Sequence, residues 1–110
     1  MSTTRDLWKR VKDVEDRLSE IEERRNILEK ELESLPSGHV ESKTINGKKY
    51  YYLRYWEEGK LKSKYLGKEV EKIKKQVEKA LEIKRQLSII KDEERRLRKT
   101  LERISLALQD

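Results

Sequence analysis

From Leu7 onward, apolar residues return at alternating intervals of four and three: Leu7, Val11, Val14, Leu18, Ile21, Leu28, Leu32 and Leu35, with Arg25 filling the missing seam position. This is a heptad repeat, and its stripe covers only about two sevenths of a helix surface. Such a helix does not stand alone in water, so a partner helix has to be found. The C-terminal part of the chain supplies one, with apolar residues at Val70, Ile73, Val77 and Ala80, then at Ile83, Leu87, Ile90, Leu97, Leu101, Ile104 and Leu108, and Glu94 in the seam. The three-residue step from Ala80 to Ile83 breaks the phase. It marks either a stammer in a coiled coil or a change of packing partner.

Punctuation fits two long helices. Ser2, Thr3 or Thr4 can cap the first, with Asp6 in its first turn, and Pro36-Ser37-Gly38 ends it. Gly67 permits a corner before the second. The expected organisation is one domain over 1–110, of class α+β: helix 4–35, a three-stranded antiparallel sheet over 39–66, and helix 68–108. The helices should pair antiparallel as a coiled coil. At 1.5 Å per residue they measure about 48 and 60 Å, so the second should overhang the first by about eight residues. An overhang at its far end would leave Leu97, Leu101, Ile104 and Leu108 as an oligomer contact, and a homodimer is expected. Arg25 and Glu94 read as places where the stripe meets solvent; the alternative is a polar pair that specifies the partner.

Between the helices lies Gly38–Lys68, GHVESKTINGKKYYYLRYWEEGKLKSKYLGK. Asn46-Gly47 is a strong two-residue hairpin signal, because a type I′ turn needs positive φ at both central residues. It joins HVESKTI to KKYYYLRYW. Glu57-Glu58-Gly59 reads as a three-residue bulged loop to KLKSKYL. That register opposes Trp56 to Lys60, Arg54 to Lys62 and Tyr52 to Lys64. Alternation then gathers Val40, Tyr51, Leu53, Tyr55, Leu61 and Tyr65 on a core face. The other face receives Lys43, Lys48, Tyr50, Tyr52, Arg54, Trp56, Lys60, Lys62 and Lys64.

Charge is concentrated in the same stretch. The chain carries 28 basic and 22 acidic residues, a net +6. Eight basic and three acidic residues between Gly38 and Lys68 account for +5 of it, and six of the seven aromatics lie there too. Clustered Lys and Arg attract phosphate through counterion release, and Tyr and Trp offer flat surfaces and hydroxyls to sugars and bases. The nine residues of the second face are therefore the expected nucleic-acid contact, with DNA and structured RNA, ribosomal RNA included, both compatible. The bland alternative is that the lysines protect sheet edges while the tyrosines pack across strands.

Other chemistry finds little footing. There is no cysteine and one histidine, so disulfides, thiol catalysis and a tetrahedral zinc site are disfavoured. His39 beside Gly38 reads as a sheet-surface residue. Phosphate loops and membrane-spanning runs have no counterpart here. No enzyme, cofactor, small-molecule substrate or membrane partner is expected, and a cytoplasmic location fits. Abundant Glu, Lys and Arg resemble a thermophile's usage.

Two resemblances follow from these residues. INGKKYYYLRYWEEGKLKSKYLGK resembles a short Tyr-rich module of uncharacterised archaeal, viral and plasmid proteins. It is also similar to the three-stranded DNA-reading sheets of tyrosine-recombinase arm-binding domains and AP2-type factors, which implies nucleic-acid binding. The helix–hairpin–helix layout resembles a prefoldin β-type subunit, which implies the competing expectation: a chaperone or structural scaffold whose hairpins oligomerise.

Overall fold

A computed structural model describes residues 4–109. The order of elements is α1 (Thr4–Glu33), β1 (His39–Ile45), β2 (Lys48–Glu57), β3 (Lys60–Tyr65), a 3-10 turn at Gly67–Glu69, and α2 (Val70–Ala107). This is the expected α+β class, two long helices around a three-stranded antiparallel sheet of order β1-β2-β3. The candidate caps Ser2 and Thr3 lie outside the described residues. Helix α1 stops two residues short of the expected end. Ser34 N and Leu35 N close back onto Glu31 O and Leu32 O at 3.2 and 3.1 Å, because the residue before Pro36 is driven out of helical backbone.

The chain divides into two compact units, Met1–Lys30 with Arg85–Asp110, and Glu31–Lys84. In the first, the helices run antiparallel, with Leu18, Ile21, Leu28, Leu87 and Ile104 buried along the heptad stripes. One flank carries a ladder of alternating sign: Glu22 to Arg98 at 2.5 Å, Arg25 to Glu94 at 3.2 Å and Glu29 to Lys91 at 4.0 Å. Arg25 and Glu94 thus face one another across the pair, and Glu94 is only 6% exposed. The solvent-facing expectation for these two positions is corrected; each is the other's partner.

The second unit is built around Leu53, Leu66 and Val77, with Val40, Tyr51, Tyr55, Val70 and Ile73 packed against them. The first turns of α2 therefore lie under one sheet face. This accounts for the phase break after Ala80: the helix serves the sheet first and a helix afterwards. It also corrects the overhang. The extra length of α2 is spent at its start, beneath the sheet, rather than at its far end. Ile104 is accordingly buried, and Leu97, Leu101 and Leu108 are half-buried.

Candidate nucleic-acid interface

The first hairpin forms as its turn dictates. Asn46 and Gly47 sit at φ 50° and 80°, and Ile45 opposes Lys48, Lys43 opposes Tyr50 and Val40 opposes Leu53. The second turn differs from expectation. Glu58 and Gly59 sit at φ 52° and 75°, which makes a two-residue turn in which Glu57 opposes Lys60. Trp56 then faces Leu61, Tyr55 faces Lys62, Arg54 faces Ser63, Leu53 faces Lys64 and Tyr52 faces Tyr65. A slip of one residue turns every side chain of β3 over. Lys60, Lys62 and Lys64 move to the helix-side face, and Leu61 and Tyr65 move to the open one. The physical reason is Glu58, which accepts the left-handed backbone that the three-residue loop would have assigned to Gly59 alone.

The corrected open face carries His39, Glu41, Lys43 and Ile45 from β1, Lys48, Tyr50, Tyr52, Arg54 and Trp56 from β2, and Leu61, Ser63 and Tyr65 from β3. Tyr65 ties the aromatics together: its ring centroid lies 5.5 Å from that of Tyr52 and 6.3 Å from that of Tyr50, both tilted. Lys43 Nζ stands 5.3 Å from the centre of the Tyr52 ring. Trp56 is 69% exposed and Tyr65 57%, whereas Tyr50 and Tyr52 are half-buried by their neighbours. Sequence reasoning placed Tyr65 in the core. The signal that could have found it was Glu-Gly read as a type I′ turn.

Charge on the open face is arranged around one carboxylate. His39 Nε2 donates to Glu41 Oε1 at 2.7 Å, and Arg54 Nη1 lies 3.5 Å from Glu41 Oε2. The hydrogen bond from His39, then the positive charge of Arg54, hold the Glu41 carboxyl below its ordinary 4.5. Lys43, Lys48 and Arg54 leave the face cationic against Glu41 alone. On the reverse face Lys60, Lys62 and Lys64 project from an exposed edge strand, with Lys62 3.7 Å from Glu57. Lys74 Nζ stands 4.8 Å over the Tyr51 ring, where α2 meets the sheet.

Among the described residues no group of three or more His, Cys, Asp or Glu side chains could hold a metal ion. No described helix is long and apolar enough to cross a membrane.

No curated protein and no solved structure matches the chain. A family model does, over residues 18–75, more than half of the 110. The matched stretch runs from Leu18 through all three strands to the early turns of α2, so it contains the whole open face. The chain belongs to that family, the DUF6788 domain of unknown function.

Proposed function

We propose that this protein binds nucleic acid, without catalysis, through the open face of its sheet. The observation that carries the reading is the exposed Tyr65 and Trp56, with half-buried Tyr52 against Tyr65, beside Lys43, Lys48 and Arg54. Two strand gaps of about 4.8 Å make the sheet about 10 Å across, which suits a major groove about 12 Å wide. Lys43, Lys48 and Arg54 are the phosphate contacts. Tyr50, Tyr52, Tyr65 and Trp56 meet sugars and bases. Lys60, Lys62 and Lys64 stand behind this face and contribute only at its edge. Double-stranded DNA and structured RNA are both within the chemistry of such a face.

Binding should fall steeply with salt. Lys43→Ala and Lys48→Ala should each lower the slope of log K against log salt by about 0.9, the value for one phosphate on duplex DNA. Lys60→Ala and Lys62→Ala should lower it less. Absence of salt-dependent binding to duplex DNA and to structured RNA sinks the proposal.

The second reading is a scaffold in which hairpins associate face to face. It is favoured by Ile45, Leu61, Tyr65 and Trp56, which are 45–69% exposed on one sheet. It requires a mass well above a dimer and no nucleic acid, so the same preparations separate the two.

A further inference from the structure

Helix α1 carries a second heptad stripe beside the one that packs on α2. Arg5, Trp8, Lys12, Glu15 and Ser19 follow one another at three, four, three and four residues, and Glu22, three further on, continues the line. The first five are exposed, Trp8 to 57%, and Glu22 is half-buried. An indole in water on a helix flank is unusual. Two cavities, about 380 and 490 Å³, share Trp8, Val11 and Glu15 in their walls. Among the described residues, Arg5, Lys12 and Glu15 make no ion pair within the protein, and Glu22 uses one oxygen on Arg98.

The stripe is divided by sign, with its cations at the start and its carboxylates after them. Lay the same stripe against itself in the opposite direction, with a two-fold axis between Asp13 and Val14. Lys12 then meets Glu15, Arg5 meets Glu22, whose Oε1 already holds Arg98 and whose second oxygen is left for the partner, and Trp8 lies on Ser19, whose small side chain leaves room for the indole. The two-fold axis repeats every contact. No other heptad register of this stripe against itself, parallel or antiparallel, opposes all its charges and gives the tryptophan a small neighbour.

We infer that a second copy of this chain docks antiparallel on the Trp8–Ser19 flank of α1, making a symmetric dimer over about 27 Å of helix. This moves the contact from the Leu97–Leu108 stripe to α1; within the single chain Ile104 is buried and Leu97, Leu101 and Leu108 are half-buried. The interface has a single aromatic anchor per copy and a polar surround, so it is weak and salt-sensitive.

Sedimentation equilibrium of the full chain at concentrations on the order of 100 μM tests it. The expected mass is that of a dimer. Trp8→Ala should raise the dissociation constant at least about 10-fold. Lys12→Glu alone and Glu15→Lys alone should each weaken the dimer by setting like charges opposite one another twice. The double variant Lys12→Glu/Glu15→Lys should restore it, because the opposed pair is merely exchanged. Circular dichroism checks that helix content is unchanged; the substituted positions are exposed, so loss of folding is not expected to intrude. A wild-type monomer overturns the inference. So does a dimer indifferent to Trp8→Ala, or one that the double variant fails to restore.

Discussion

Arg25 Nη1 lies 3.2 Å from Glu94 Oε2, and the two residues are the only polar interruptions of their respective heptad seams. Glu94 is held from its own helix as well, by Arg98 Nη2 at 3.0 Å. The layer is not fully satisfied, because Arg25 Nε is buried without a hydrogen-bond partner. A buried ion pair of this kind sets register more than it stabilises.

Removing one partner should therefore cost more than removing both. Arg25→Leu leaves Glu94 buried with Arg98 alone and should destabilise by about 1–3 kcal/mol, less than a fully buried pair because Arg25 is partly exposed. The double variant Arg25→Leu/Glu94→Leu should regain that loss or exceed the parent. Urea midpoints of the parent and the two variants check this. A double variant no more stable than the Arg25→Leu single would show that the pair carries stability itself.

Much of this architecture was legible in the chain, for reasons that differ by element. The heptad spacing gives both helices and both seams, and Asn46-Gly47 gives the first hairpin with its register. Three features escaped. Glu58 adopts a left-handed backbone that no propensity favours, so sequence alone puts the β3 register one residue off and with it the face of three lysines. The length of α2 was counted correctly, but length alone does not say which end is spare; the sheet decides that by needing Val70, Ile73 and Val77 beneath it. Arg25 and Glu94 each look like a gap in a stripe. Only the alignment of the two helices shows that the gaps coincide.

Glu58 is the strained position of the second turn, at φ 52°. Asn tolerates left-handed backbone better than Glu, and a type I′ turn favours Asn before Gly. Glu58→Asn should stabilise the β2–β3 hairpin by roughly 0.5–1 kcal/mol without disturbing the register. A raised urea midpoint with unchanged cross-strand Tyr52–Tyr65 contacts in nuclear Overhauser spectra checks it. A lowered midpoint would contradict the two-residue turn and favour the bulged loop.

Gly38, at φ 109°, admits β1 into the sheet. A Cβ there would collide with the backbone carbonyl of Arg54, which cannot step aside without breaking the β1–β2 ladder. Gly38→Ala should cost about 2–3 kcal/mol, combining left-handed strain with the clash. Hydrogen exchange should show the loss concentrated at His39–Ser42, whereas Gly47→Ala, with open space around it, should cost only the backbone term.

Glu41 gives the open face an acid-side pH dependence. Its carboxyl lies below 4.5 in the folded protein, chiefly through the bond from His39 and next through Arg54. The sign follows from that depression: the unfolded chain binds a proton more readily, so the stabilising contribution of Glu41 is complete above about pH 4.5 and is lost as pH falls through the lower folded value. His39→Ala removes the larger cause and should bring the carboxyl back toward 4.5; Arg54→Met should move it less. Carbon-detected NMR titration of the Glu41 side chain reads both shifts directly. Glu41→Gln, which frees Arg54 at every pH, should tighten nucleic-acid binding and leave its salt slope steeper. If it weakens binding instead, Arg54 reaches its ligand only when Glu41 holds it in place.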